Sequence, residues 1–416
     1  MNCGCAEVVT SGLLDLFDAR ERMIAAARPV EGHERVALGD AEGRVLADDV
    51  AAALDLPGVD NSAMDGYALR LAELCPAGLP VVQRVPAGAG VMHLPEGGCA
   101  RIFTGAPVPI GADAVVPQEK VSLDAEGRVH VEGEFAEGAN IRRRGEESRA
   151  GTPLLSAGTR LEAAAIALLA SHGIAEVTVR RRVKIALFST GDELIEPGER
   201  RAPGQIFDSN RAMLKALMAH PGVELIDQGV LLDDPLDLHQ ALGRARDEAD
   251  LVVCSGGVSV GEEDHVRPAI ERLGGIAFHG VGIKPGKPFA LGFLGDSLAA
   301  GTPLIALPGN PVASLVGWQF LALPLVQGRQ GMTPPALQRF PVTAGFSRRG
   351  PRGRRELLRV VLDWSDGTPV ARLAGGQGSH MLSAASQAHG YLLVDADTDV
   401  EEQHAYGYCP AAQFGR

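Results

Sequence analysis

The residues best suited to chemistry lie in short polar segments between residues 190 and 311. These are Thr190-Gly191-Asp192-Glu193, Asp233-Asp234, Ser255 through Asp264, Lys284-Pro285-Gly286-Lys287-Pro288 and Pro308-Gly309-Asn310-Pro311. Asp192, Glu193, Asp233, Asp234, Glu262, Glu263 and Asp264 offer hard oxygen donors. Mg²⁺ is usually held by one or two such carboxylates together with water and substrate phosphate. The loop from Ser255 through Gly256, Gly257, Ser259 and Gly261 can turn its N–H groups inward ahead of a helix, which holds a phosphate without side-chain charge. Tight-turn chemistry alone explains such a loop equally well. Asp234 and Glu262 also read as helix caps, and Asp234 is followed by Pro235, a residue suited to a first turn. Lys284 and Lys287 sit in a loop stiffened by prolines. They are either solvated surface charges or cations for a phosphate or another oxyanion.

A second polar cluster occupies the first half. Pro57 to Ala68 packs Asp60, Asn61, Ser62 and Asp65 between glycines and apolar flanks, suggesting a loop held by its own hydrogen bonds. Asp65 before Gly66 reads as a turn residue. Arg101 to Pro109 presents Thr104 at a strand end. Nothing in composition says that these residues approach the other cluster.

The elements that must position these groups follow from periodicity and punctuation. Residues 12–28 have helical spacing, with Leu13, Leu16, Phe17, Met23 and Ile24 on one face. Residues 36–140 alternate short β-branched stretches with Gly/Pro turns and read as a β-rich lobe. Thr159-Arg160-Leu161-Glu162 fits a capping box, and Gly173 is a helix stop. Residues 145–180 are therefore expected to return to helix and pack with the N-terminal helix, making the lobe an insertion into a discontinuous first domain.

Residues 183–328 alternate strands (Val183–Ser189, Val223–Leu232, Leu251–Ser255, Ile276–Val281, Pro303–Leu307) with helices. Asp208-Ser209-Asn210 supplies N-cap chemistry, and Phe289–Leu294 adds a strand without an intervening helix. That rhythm predicts a mainly parallel sheet covered on both faces, with ligands bound outside the carboxyl ends of its strands. Those ends are where the polar segments fall. Pro268 predicts that the helix after Asp264 begins a residue or two late. The tail, with Leu357–Leu362 and Tyr391–Val394, reads as a separate small β domain.

Composition limits the partners. A chain of 416 residues with 45% apolar and 22% charged residues predicts several compact units. The net charge of −13 gives no general basic field, so nucleic acid is not an expected partner. The basic runs Arg142–Arg144 and Arg180–Arg182 lie near expected domain junctions and read as solvated or salt-bridged hinges. Six cysteines show no C-x-x-C pair and no disulfide framework. The first thirty residues lack a signal-peptide pattern, and no apolar run approaches the about 20 residues a membrane helix needs. The expectation is a cytoplasmic protein without a membrane partner.

The segments DNSAMDGYA, IFTGAPVPIGADAVVPQE, NIRRRGEE, FSTGDEL, SGGVSVGEEDHV, KPGKPFALG and LPGNPVAS stand in this order and spacing. Together they closely resemble the family of MoeA and the gephyrin E domain, from the N-terminal helix through Gly376–His380. The resemblance implies a multidomain α/β plus β architecture. A helical linker would span 7–35 and 141–181, with a β-rich lobe inserted at 36–140. A central doubly wound, mainly parallel α/β domain of molybdopterin-binding type would span 182–330, and a small C-terminal β-barrel 335–416. It implies a homodimer with composite sites, in which the lobe of one subunit faces the α/β site of the other. Family members take up molybdate, insert molybdenum into adenylated molybdopterin and release AMP, with a divalent cation, here Mg²⁺.

By motif, the resemblance places catalysis at Asp60, Thr104, Glu193 and Asp264, with Glu193 and Asp264 also as metal ligands. It places substrate at Ser255, Gly256, Gly257, Ser259, Gly261, Asp233, Asp234, Lys284, Lys287, Pro308, Pro311, Arg359 and Ser379. The adenylyltransferase of the same pathway and apo-molybdoenzymes are further expected partners. Two other readings stand beside this one. A molybdopterin adenylyltransferase shares the α/β domain but needs neither 36–140 nor 335–416, and a non-catalytic scaffold follows from the gephyrin resemblance. Whether molybdate or tungstate is preferred stays open, as does which carboxylate moves a proton.

Overall fold

The computed structural model describes residues 12–257, 265–350 and 352–415. Helix α1 (Leu16–Ala26) starts where the Asp15 carboxylate accepts a hydrogen bond from Phe17 N at 2.8 Å. Its apolar stripe of Leu16, Ala19 and Met23 is fully buried. The chain then forms three short antiparallel ladders with a distant stretch: His33–Ala37 with Glu176–Arg180, Val50–Ala51 with Pro153–Leu155, and Asn61–Ser62 with Ile141–Arg142. Between the last two strands lies a four-stranded mixed sheet in the order Val81–Val85, Cys99–Ile102, Gly66–Leu69, Ala114–Pro117. Ala68, Ala100, Ile102 and Val115 pack on one side of it, and Tyr67, Leu69, Cys99 and Val116 on the other. A β-carbon on Gly66 would lie 2.0 Å from the Val116 carbonyl oxygen, so the strand after Asp65 admits only glycine at its entrance.

Helix α2 (Ala163–Ser171) corrects two expectations. The capping box does not form, because Thr159 and Leu161 are committed to backbone bonds: Leu46 N donates to Thr159 O and Leu161 N to Arg44 O. The segment stays extended, Glu162 becomes the N-cap, and its side chain caps nothing. Residues 145–180 are therefore mostly strand and turn around one short helix. Nor does α2 share a core with α1. It contributes Leu169 to a cluster with Ala41, Leu46 and Val179, whereas α1 joins the core of the α/β unit. The stop at Gly173 holds, with φ +71° and its N–H on Ala170 O.

The α/β unit runs β1 (Val183–Thr190), α3 (Ser209–Met218), β2 (Val223–Leu231), α4 (Pro235–Glu248), β3 (Leu251–Ser255), α5 (Val266–Leu273), β4 (Gly274–His279), β5 (Ala290–Leu294) and β6 (Thr302–Leu307). Helix α6 (Pro311–Gly317), a π turn at Trp318–Ala322 and α7 (Leu323–Arg329) follow without a break. The sheet order is β2-β1-β3-β6-β5-β4, parallel except that β5 runs against both neighbours. Side chains alternate by the two-residue period of a strand. Val183, Ile185 and Leu187 face α1, α3, α6 and α7, while Ala186 and Phe188 face α4 and α5. Both faces are covered, so the sheet is doubly wound. Asp234 caps α4 as read, its carboxylate accepting from Leu236 N and Asp237 N. Helix α5 begins at Val266, two residues after Asp264 as read, and Pro268 then falls in its first turn, where no amide donor is needed.

The tail closes into a barrel of β7 (Phe340–Ala344), β8 (Arg355–Asp363), β9 (Val370–Leu373), β10 (Gly390–Val394) and β11 (Ala405–Pro410). The ladder β8-β9-β7-β11-β10 returns to β8. A two-residue strand from the α/β unit, Ile283–Lys284, adds to β8 in parallel with Arg355–Glu356. Helix α8 (Leu382–Gln387) connects β9 to β10. The basic runs are salt-bridged, Arg143 to Asp60, Arg144 to Asp55 and Arg181 to Asp250. Among the described residues no helix is long and apolar enough to cross a membrane.

The turn between α3 and β2 supplies a pH test of this packing. His220 Nδ1 accepts from Gly222 N at 3.0 Å, and burial, then the nearby Arg160, lowers its pKa from 6.5 to about 4. Between those values the unfolded chain binds a proton that the folded chain refuses. This contribution to stability is therefore intact above about pH 6.5 and is lost as the pH falls toward 4. In thermal melts, His220→Asn should flatten the decline in Tm across that window. An unchanged decline would show that other groups cause it.

Candidate functional site

The cleft forms where the strand order turns back on itself. From β1 the chain moves to β2 on one side, then returns to β3 on the other, so the loops after β1 and β3 diverge and leave a crevice. A cavity of about 670 Å³ opens there. Its floor is Ser189, Thr190 and Ser255, its far wall Pro308 to Pro311, and its apolar flank Leu194, Ile206 and Phe207.

Local sequence explains the shape. Gly256 and Gly257 adopt φ of +98° and +63°, which favours glycine. A β-carbon on Gly256 would lie 2.5 Å from Thr190 O, and one on Gly257 would lie 2.3 Å from Val266 Cγ2. The two glycines thus let the β3 loop pass close over the end of β1. Asn210 fixes the other side. It is only 7% exposed, and its Nδ2 donates to Ser255 Oγ and to Gly309 O, both at 2.8 Å. A carbonyl can only accept, so the nitrogen must face Gly309.

Carboxylates gather at the β1–β2 side. Glu193 and Asp233 line the cavity, and Asp233 N donates to Asp192 Oδ1 at 3.1 Å. Burial, then the charges of Asp192 and Glu193, push the Asp233 carboxyl above its ordinary range, while His265 opposes this. Such crowding of negative charge suits a cation. Among the described residues no three His, Cys, Asp or Glu side chains form a metal cage by themselves.

Cations gather toward the β4 and barrel side. Lys284 Nζ lies 3.1 Å from Glu356 Oε1, and Lys287 is exposed, its carbonyl accepting from Val281 N. The loop they occupy reaches the cavity at Pro288. Arg359, 1% exposed, spends Nη2 on Gly376 O and Gly378 O, leaving Nε and Nη1 buried without acceptors among the described residues. Burial lowers its pKa. Next to those glycines, Ser379 O accepts from Val312 N at the start of α6, which sets this barrel loop against the cavity wall.

The structure thus brings Glu193, Asp233, Ser255, Gly256, Gly257, Pro308 and Pro311 to the cavity surface. Lys284, Lys287, Arg359 and Ser379 do not line it: the Lys284–Lys287 loop leads into Pro288 at its edge, and Ser379 O accepts from Val312 N next to Pro311. Asp234 turns to its helix cap and does not line the cavity. Ser259, Gly261 and Asp264 lie outside the described residues.

Asp60 and Thr104 lie elsewhere, in the lobe, each with its own partners. Thr104 donates from both N and Oγ1 to Asp65, which holds that carboxyl below its ordinary range. Asp65 is therefore a partner of Thr104 and more than a turn residue. Asp60 accepts from Arg143 Nη1 and Arg144 N. Burial raises its pKa, but these two donors outweigh that effect and leave it low. No hydrogen bond or ion pair among the described residues links this cluster to the cavity of the same chain.

Two functional groups escaped the sequence reading. Asn210 was grouped with the cap of α3, whereas Asp208 alone makes the cap, accepting from Arg211 N. The signal was its spacing of four and eight residues from Leu214 and Met218, which puts it on the buried face. Glu356 was hidden at the edge of an apolar strand read from Leu357 onward. A charge flanking such a run is ordinarily a surface residue.

Comparison with known proteins agrees with this geometry. Residues 14–173 match the MoeA N-terminal region (domain I and II), residues 186–328 a probable molybdopterin binding domain, and residues 341–402 the MoeA C-terminal region (domain IV). The molybdopterin molybdenumtransferase of Haemophilus influenzae is 37% identical over 392 residues, covering 92% of this chain and 95% of that one. Molybdopterin molybdenumtransferase 2 of Mycobacterium tuberculosis is 37% identical over 393 residues, covering 91% and 94%. The crystal structure of a molybdopterin biosynthesis MoeA protein from Pyrococcus horikoshii superposes with a TM-score of 0.74 at 30% identity, covering 96% of this chain and 99% of that one. These matches take in the lobe and the barrel, which an adenylyltransferase would not need. The chain belongs to the MoeA family of molybdopterin molybdenumtransferases.

Proposed function

We propose that this transferase inserts molybdenum from molybdate into adenylated molybdopterin and releases AMP, and that the two ends of its cleft divide the work. The observation that carries this reading is the separation of charge, with Asp192, Glu193 and Asp233 after β1 and β2 and with Lys284, Lys287 and Arg359 toward the barrel. Glu193, together with Asp264, would hold Mg²⁺, which stabilises charge developing on the adenylate phosphate as AMP leaves. Gly256 and Gly257 let the substrate approach the backbone closely. Ser255 and Asn210 keep that loop and the Pro308–Pro311 wall at a fixed spacing. Arg359, with two buried donors lacking acceptors among the described residues, and the Lys284–Lys287 loop receive the oxyanion. Pro308 and Pro311 stiffen the wall between the two ends.

Asp60 and Thr104 fit the same reaction if they act on the cavity of a second subunit. The lobe carries a dense polar cluster without a cavity of its own among the cavities described, so we assign it to a composite site in a homodimer.

The carboxylate assignment is tested by AMP release with and without molybdate and Mg²⁺. Glu193→Gln and Asp264→Asn should keep their Tm and still bind adenylated pterin, yet release AMP at least about tenfold more slowly. Near-normal, molybdate-dependent release from both would make these groups structural. The dimer is tested by mixing Asp60→Ala and Asp264→Ala proteins, each inactive alone. Hybrid dimers should regain a measurable fraction of turnover, because one of their two composite sites is intact. A fully active monomer in sedimentation would sink this assignment.

A further inference from the structure

Glu356 is 2% exposed and pairs in register with Lys284, the residue assigned above to the oxyanion. One of its oxygens, Oε1, lies 2.9 Å from Arg348 Nη2 and 3.1 Å from Lys284 Nζ. The contact is built into the fold, since Lys284 and Glu356 are register partners where Ile283–Lys284 adds to β8, so their side chains leave the ladder on the same side. Arg348 is fixed independently by a pair of backbone bonds with Val400. Burying a carboxylate is costly without partners, and this one has two. The Lys284 side chain, by contrast, remains 42% exposed. Its ammonium therefore rests on a buried anion on one side and is open to an arriving anion on the other. The trio carries one net positive charge where its two cations alone would carry two. The charges of Glu356 and Arg348 are also felt at Arg359, three residues along the strand.

We propose that Glu356 is a positioning residue that sets oxyanion affinity: it aims the Lys284 ammonium at the cleft and competes with molybdate for it. The inference rests on the reading that Lys284 receives the oxyanion. Its physical logic concerns turnover. Binding a substrate more tightly in the ground state does nothing for the chemical step, and an ion that must be passed to a dithiolene is better held loosely. A counter-charge already in place weakens the hold without giving up the orientation.

The test is calorimetric titration of the full-length protein with molybdate at low salt, beside steady-state AMP release. Glu356→Gln removes the charge and keeps the shape, and should tighten molybdate binding by about fivefold or more, lowering KM for molybdate without raising kcat. Glu356→Asp keeps the buried charge beside Arg348 but draws it back from Lys284, so it should shift affinity in the same direction by less. That variant decides the matter if Glu356→Gln does not fold. Lys284→Met should weaken binding, and adding Glu356→Gln to it should no longer tighten it. A merely structural Glu356 predicts the opposite sign, with looser binding as the barrel loses its contact. Unchanged or weaker binding in both Glu356 variants, with Lys284→Met still weakened, overturns the competition and leaves the oxyanion reading standing. Unchanged affinity in Lys284→Met removes that reading and the competition with it.

Discussion

The Asn210 side-chain amide fixes the spacing on which the cleft depends. It leaves the first turn of α3 and spans the end of β3 at Ser255 and the turn after β6 at Gly309. Helix, loop and wall are thereby locked by two hydrogen bonds from a buried side chain. Bonds in such surroundings are worth more than their exposed counterparts, and leaving one partner unmade is costly. The glycines over Thr190, the prolines of the wall and the carboxylates at the mouth are all placed relative to that fixed distance.

Charge is sorted by topology rather than by pairing. Because β2 and β1 occupy one side of the sheet and β4 the other, loops that follow them are necessarily apart. Like charges can then accumulate at each end, and burial first, then the charges of Asp192 and Glu193, push Asp233 up. In most proteins such groups would settle into ion pairs. Here, among the described residues, Lys284 does so with Glu356, a residue of the barrel.

Features encoded in contiguous residues were legible in the sequence. The alternation of apolar strands with helices over 183–328 pointed to a sheet covered on both faces, Asp234-Pro235 to a helix start, and Gly173 to a helix end. The loops at the strand ends were recognisable as a site because they broke the apolar runs with glycine and charge. What stayed hidden depended on distant partners. The stripe on α1 shows that a face is buried but not against what, and the answer was the α/β core instead of α2. The Thr159–Glu162 pattern was outweighed by backbone bonds to Arg44 and Leu46, more than a hundred residues earlier. Asn210 and Glu356 are polar residues whose burial comes from tertiary packing, which overrides the local preference for solvent.

The core beneath β1, β3 and β6 does not stop at the boundaries of the α/β unit. Leu16 and Met23 from α1 join it, as do Leu357, Tyr391, Leu393 and Phe414 from the barrel and its end, with Tyr391 also donating to Gln319 at 2.6 Å. Each unit therefore contributes part of its neighbour's interior, and the stretches that look separable along the chain are thermodynamically joined. Opening the barrel alone would bare the apolar side of the π turn and α7 to water, so the cost of melting one part includes surface belonging to the other. Cooperativity, more than any single contact, then keeps the barrel and the carboxylate side of the cleft in one object.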